Sequence, residues 1–178
     1  MVCATFRLGG QTFEVSFQGV KPERSPSNTF IISKTGNESV RFYYLRGKKY
    51  IQRKGMYSST TILDSVNGEH LKIKCWFPNL CEFTAEEESS PLDIAYIIDL
   101  YFVGNKVFIS ISDVILTYSD GKILKIREAH FPGDPGIYSS EGLLQLPEIK
   151  EEVERHLSLQ VDGLLNYLRN GSPTDTDW

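Results

Sequence analysis

Apolar and polar residues alternate along several short runs of the chain, and turn residues separate these runs. The clearest cases are residues 60–66 and 69–77 around Asn67-Gly68, and residues 92–103 and 106–118 around Gly104-Asn105. Alternation with a period of two is typical of strands that bury one face, and such dipeptides accept the backbone angles of tight hairpin turns. The pattern therefore predicts consecutive antiparallel hairpins.

Shorter runs repeat the pattern: 3–8 with 11–17 around Gly9-Gly10, 29–33 with 40–45, and 122–128 after Asp120-Gly121. Two segments interrupt it. Residues 20–28 contain Pro22 and Pro26, which lack the N–H that a sheet ladder uses, and residues 81–91 contain three consecutive glutamates. We predict loops for both segments.

The C-terminal part of the chain changes to a helical period. Apolar residues recur at steps of three and four from Ile149 to Leu168, Pro147 suits the first helical position, and Gly171 suits the position after the last turn. The sequence therefore predicts an amphipathic helix at 147–170. We expect its apolar stripe to pack on the domain's own core; the alternative is a homodimer through helix 147–170.

These elements predict an α+β fold, an antiparallel β-meander arranged as a sandwich or open barrel with one C-terminal amphipathic helix. We expect a single domain over residues 1–171, with a β-rich part at 1–129, a loop at 130–146, the helix at 147–170 and a frayed tail at 172–178.

Composition and cysteine usage narrow the class of protein. The chain has 178 residues, three cysteines, no apolar run that would span a bilayer, and no secretory signal at its N-terminus. We expect a soluble, cytoplasmic protein with reduced thiols and no membrane association. Cys75 and Cys81 are spaced too widely for a usual zinc pair, so we read Cys75 as a buried core thiol and predict no metal site.

Charge is distributed unevenly along the chain. Residues 1–60 carry a formal charge of +7 and the rest −11, which gives the net −4. The basic part peaks at residues 41–55, RFYYLRGKKYIQRKG, with six Lys or Arg, four aromatic residues and no acid. We predict a hairpin over 41–54 that turns at Gly47-Lys48, which would place Arg46 opposite Lys49 and Arg41 opposite Lys54. Like charges that face each other destabilise a hairpin, so a compensating anion is expected.

The function that this predicts is a non-catalytic binding module for an anionic macromolecule, most simply RNA or DNA. The predicted phosphate contacts are Arg41, Arg46, Lys48, Lys49, Arg53 and Lys54, while Tyr43 and Tyr50 stack or pack. On this reading, Arg46→Glu with Lys49→Glu weakens binding at little cost in stability. Alternatively, the compensating charge is internal and comes from the acids of residues 84–90 or of the start of the C-terminal helix. The alternative function is a protein–protein adaptor or regulator, in which the same basic patch meets an acidic partner or the acidic helix meets a basic one.

A second alternative is a metal-assisted hydrolase that uses the loop from His130 to Gly142. His130 would act as a general base and Asp134 would orient it or bind a metal, with the hydroxyls of Tyr138, Ser139 and Ser140 nearby. The carboxylates of Asp93, Asp99 and Asp113 are further candidates by residue type. We favour a rigid connector instead, in which the two prolines set φ and the glycines turn the chain from the last strand to the helix. We therefore predict a binding protein rather than an enzyme, with no catalytic residues and no cofactor.

Overall fold

A computed structural model describes residues 12–23, 29–33, 38–54, 59–85, 88–104, 106–127 and 136–171. The predicted turn at Gly9-Gly10, the pair His130 and Asp134, and the tail 172–178 lie outside these ranges. The elements, in chain order, are β1 (Phe13–Ser16), β2 (Gly19–Pro22), β3 (Thr29–Ser33), α1 (Val40–Lys54), β4 (Ser59–Val66), β5 (His70–Ala85), β6 (Glu88–Val103), β7 (Lys106–Tyr118), β8 (Ile123–Arg127), β9 (Gly136–Tyr138) and α2 (Pro147–Asn170).

Seven strands form one mostly antiparallel sheet. β4, β5, β6 and β7 follow each other as a meander, β3 and β8 both border β7, and β9 pairs in parallel with β8. β1 and β2 form a separate hairpin. The α+β class and the hairpins after β4 and β6 are confirmed, and the described strands do not close into a barrel.

Three predicted loops are wrong in part, because strand pairing extends into them. β5 continues to Ala85 and β6 begins at Glu88, so most of the acidic segment 81–91 lies in the sheet. β2 includes Pro22, whose carbonyl side can still face a neighbouring strand at an edge. β9 also lies within the predicted loop at 130–146.

Both helices cover the same face of the large sheet. Alternate residues of β5 and β6, such as Leu71, Ile73, Ile98 and Leu100, are buried beneath them. α2 has the predicted bounds and buries its apolar stripe, which consists of Ile149, Val153, Leu157, Val161, Leu164, Leu165 and Leu168. The stripe therefore packs within the chain, and these side chains are not exposed for a dimer seam.

The hairpin predicted for residues 41–54 is wrong, because α1 occupies this segment. Ser39 begins the helix, since the N–H of Phe42 donates to its carbonyl (3.0 Å) and to its Oγ (3.3 Å). The side chains of Tyr43, Tyr44 and Ile51 are buried on one side of the helix, together with Gly47. The facing like charges of the hairpin therefore do not occur, and the repulsion that called for an anion disappears with them.

α2 and β9 both form hydrogen bonds to the backbone of β1. The N–H of Val15 donates to Glu154 Oε1 (2.7 Å), and the N–H of Phe13 donates to Ser158 Oγ (3.1 Å). The Tyr138 hydroxyl donates to the carbonyl of Val15 (2.8 Å).

None of the helices that the described residues form is both long and apolar enough to cross a membrane.

Candidate anion-binding surface

The helical period of α1 sends the basic residues of the predicted site to two different sides. Arg41, Leu45 and Gln52 are exposed, and Lys48 and Lys49 are half-buried at helical steps between them. We call these five residues the outward stripe. No acidic residue occurs in α1, and neither Arg41 nor Lys48 forms an ion pair with a carboxylate of the described ranges. The outward stripe therefore carries Arg41, Lys48 and Lys49 along one side of the helix.

The other two described cations of α1 contact α2 instead. Arg46 Nη1 donates to the carbonyls of Leu168 and Arg169, both at 2.9 Å, and its guanidinium lies 4.2 Å from the centre of the Phe42 ring. The Arg53 guanidinium lies 5.8 Å from the centre of the Tyr167 ring. Both arginines therefore hold the two helices together. The side chain of Lys54 lies outside the described part of the chain.

The two tyrosines of the predicted site face inwards. Tyr43 is 3% exposed. Its burial, and to a lesser extent the nearby Glu38 carboxylate, raise the pKa of its hydroxyl. Tyr50 packs 5.4 Å from the Tyr167 ring, centre to centre, and borders a cavity of about 20 Å³ beside Ile73. Both rings pack within the protein, which is the second of the two roles predicted for them, and neither is placed to stack on a ligand.

The buried Tyr50 hydroxyl makes the free energy of unfolding depend on pH in the alkaline range. Burial raises its pKa to about 12 from an ordinary value of 10.0, so the fold favours the neutral phenol. Below pH 10 this stabilisation is fully present; as pH rises towards 12, the unfolded chain loses the proton first and about 2 kcal/mol is lost. We expect Tyr50→Phe to remove this part of the fall in the free energy of unfolding, measured in urea from about pH 9 upwards. An equal fall in both proteins would contradict a buried Tyr50 hydroxyl.

A groove opens at the end of the sheet, beside the first turn of α1. Its volume is about 760 Å³, and it is lined by Val40, Arg41, residues 66–70 and residues 101–104; we call it the strand-end groove. Tyr101 is 47% exposed there. The His70 ring stacks on it at 4.3 Å between centres and 17° between planes. His70 Nε2 lies 3.0 Å from Asp99 Oδ1, and this contact fixes the orientation of the imidazole.

Sequence reasoning missed the ring pair of the strand-end groove. His70 and Tyr101 face each other across β5 and β6, and that register is not readable from either run by itself. The two hairpin turns, at Asn67-Gly68 and after Val103, were the available signals, because they place the ends of both strands at the same edge. His70 also lies on the sheet face opposite to buried Cys75, so the two cannot share a metal.

The carboxylates proposed for catalysis do not converge. Asp99 contacts His70, Asp93 accepts the N–H of Asn79 (3.0 Å), and Asp113 is exposed at a positive φ of 51°. Within the described ranges, no three His, Cys, Asp or Glu residues are placed to hold a metal ion. The hydrolase hypothesis itself depends on His130 and Asp134, which lie outside those ranges.

The described hydroxyls of the loop that the hydrolase alternative would use form hydrogen bonds within the protein. Ser139 Oγ accepts the N–H groups of Glu141 and Leu143, both at 3.2 Å, and Ser140 Oγ donates to Glu141 Oε1 (2.8 Å). Tyr138 donates to β1, as described above. These contacts are those of a rigid connector.

The acids at the start of α2 are engaged elsewhere than at α1. Glu154 pairs with Lys150 at 2.5 Å, and Glu152 pairs with Arg155. Glu148, Glu151 and Glu152 line a second groove, of about 620 Å³, together with Cys81 and Glu82. No described ion pair therefore joins the acids at the start of α2 to Arg41 or Lys48.

Comparisons with known proteins identify the fold. The chain is similar to the crystal structure of a DUF4468 family protein from Bacteroides ovatus, with a TM-score of 0.56 and 10% identity over 82% of this chain and 86% of that one. It is also similar to the crystal structure of a TBP-like protein from Parabacteroides distasonis, with a TM-score of 0.56 and 12% identity over 81% of this chain and 92% of that one. No protein-family model and no curated protein matches the sequence. At these identities the likeness shows the fold alone.

Proposed function

We propose that this protein is a non-catalytic binding module that engages nucleic acid through the outward stripe of α1. The observation that supports this is the position of Arg41, Lys48 and Lys49 along one side of a helix that contains no acid. Cations arranged in this way attract a phosphate backbone over a long range, although the chain as a whole is acidic.

The rigid mounting of α1 supports the same proposal. Its inner side packs on the sheet through Tyr44, whose ring meets the Phe102 ring edge-on at 6.0 Å between centres. Arg46 also holds α1 to the end of α2 through its two hydrogen bonds. The cations of the outward stripe therefore lose little conformational freedom of the backbone when a ligand binds, which favours affinity.

The number of cations predicts how strongly salt weakens binding. Three phosphate contacts correspond to a slope of roughly −2 in log K against log salt for a single strand. Affinity would then fall by roughly twentyfold between about 50 and about 200 mM salt. Six contacts, as the hairpin hypothesis required, would give about twice that slope.

The test is fluorescence-anisotropy binding of labelled RNA and DNA across a salt series. We expect Lys48→Glu with Lys49→Glu to weaken binding at least tenfold at low salt and to reduce the slope to below about 1. The matched control is Lys74→Glu with Lys125→Glu, which changes the net charge equally at exposed lysines of β5 and β8. Equal loss in both variants would mean that only net charge matters, and it would overturn the role of α1.

A second candidate function, an acidic protein partner, is favoured by Leu45. This side chain is 40% exposed between the cations of the outward stripe, and an apolar side chain adds more to a protein interface than to a phosphate contact. Leu45→Ala separates the two candidates. Nucleic-acid binding is expected to survive it, whereas binding of an acidic protein is expected to weaken.

A further inference from the structure

We infer that the strand-end groove is a subsite for an unpaired base, so that the protein prefers single-stranded nucleic acid to duplex. The inference rests on the proposed function, because the groove is joined to the outward stripe at the first turn of α1. Arg41 belongs to both regions: it begins the outward stripe and lines the strand-end groove. A single strand of nucleic acid whose phosphates lie along the outward stripe therefore reaches the groove at Arg41, and no residue of the stripe is acidic.

The aromatic pair in the groove suits a flat ligand. Tyr101 is the exposed member, and the stacked His70 ring, held in turn by Asp99, keeps it in place. A base that joins such a fixed stack gains contact area while few side-chain rotations are lost. Unpaired bases stack on aromatic side chains in this way, whereas the bases of a duplex are already stacked on each other.

The charges of the groove complement a nucleotide. Arg41 has no ion pair with a described carboxylate and can meet a phosphate. Glu69 is exposed in the same lining and can accept hydrogen bonds from the exocyclic amino group of a base. Uracil and thymine carry no such group, so an oligomer of cytosine is expected to bind more tightly than one of uracil.

Two exposed valines also line the groove. Val66, at the end of β4, is 48% exposed, and Val103, at the end of β6, is 60% exposed. Exposed valine side chains cost free energy in water, and part of this cost is recovered when a base covers them. The strand-end groove therefore combines a cation, a carboxylate, an aromatic stack and apolar walls within reach of one nucleotide.

The experiment compares a labelled single-stranded oligonucleotide with the duplex of the same sequence, by fluorescence anisotropy at one low salt concentration. We expect the native protein to bind the single strand more tightly. Tyr101→Ala is expected to weaken single-strand binding by about tenfold and to leave duplex binding unchanged. Tyr101→Phe, which keeps the ring, should bind as the native protein does. The matched control is Trp76→Ala, because Trp76 is 39% exposed on β5 but does not line the groove.

The outcomes separate the groove from α1. If single strand and duplex bind equally, and Lys48→Glu with Lys49→Glu weakens both while Tyr101→Ala weakens neither, the base subsite is overturned and the proposed function stands. If the native protein binds neither form, both are overturned. Circular dichroism of Tyr101→Ala checks that a loss of binding is not a loss of fold.

Discussion

Replacing Arg46 by glutamate is expected to lower the free energy of unfolding by about 3 kcal/mol. Arg46 Nη1 donates to two carbonyls in the last turn of α2, Leu168 and Arg169, and its guanidinium covers the Phe42 ring. Hydrogen bonds from a charged donor are worth about 1.5–3 kcal/mol, and a carboxylate in the same place would repel the negative end of the helix dipole. Urea unfolding followed by circular dichroism measures the loss.

The matched control for Arg46 is Arg41→Glu on the same helix. The Arg41 side chain is exposed and forms no hydrogen bond or ion pair with a described residue, so its reversal should change stability by less than about 0.5 kcal/mol. Arg46→Lys should fall between the two, because lysine keeps the charge but not the planar fork. If Arg46→Glu proved as stable as the native protein and yet bound nucleic acid poorly, Arg46 would be a ligand contact, as the hairpin hypothesis had it.

The different positions of Arg46 and Lys49 change the expected effect of reversing both charges on stability. The sequence placed Arg46 and Lys49 on one exposed hairpin and predicted that reversing both would spare stability. The structure separates them, since Arg46 contacts α2 while Lys49 belongs to the outward stripe. A binding test that includes Arg46 would therefore mix unfolding with loss of contact, and the pair Lys48 and Lys49 avoids this.

The fold was predictable where one physical signal dominated. α2 has an apolar stripe at helical steps, a proline at its start and a glycine after its end, and these signals agree. The hairpin after β4 was predictable for the same reason, because Asn67-Gly68 follows an alternating run and Gly68 has a φ of 81°. The acidic segment after Phe83 was misread because cross-strand pairing, which is not local, decides its conformation.

The sequence of α1 carries two conflicting signals, and the one that predicts a hairpin is the weaker. Aromatic residues and a central Gly47-Lys48 favour a strand, a turn and a strand. Val40, Tyr43, Tyr44, Gly47, Tyr50 and Ile51, however, recur at steps of three and four, which is the period of an amphipathic helix. Gly47 lies on the buried face of the helix and not in a turn. The candidate site differs for the same reason, because a helix separates the basic residues onto two sides, whereas a hairpin would have placed them on one surface.

A larger side chain at Gly47 is expected to destabilise the protein strongly, because α1 lies close to the sheet at this position. A Cβ atom at this position would lie 3.1 Å from Leu71 Cδ1 and 3.5 Å from Phe102 Cζ. Leu71 is fully buried and Phe102 is 3% exposed, so neither can move far without disturbing the core. We expect Gly47→Val to lower the free energy of unfolding by about 3 kcal/mol, through overpacking of this contact.

Gly47→Ala tests the same contact more gently. The methyl group needs the tip of Leu71 to give by a few tenths of an ångström, while alanine gains up to about 1 kcal/mol of helix propensity over glycine. These effects oppose each other, so we expect little net change. Gln52→Val, at an exposed position of α1, controls for the helix propensity of valine. If Gly47→Val and Gln52→Val destabilised the protein equally in urea, the close approach of α1 to Leu71 would be refuted. A hairpin turn at Gly47 would also leave the new side chain in solvent, so a large difference between these two variants would support the helix directly.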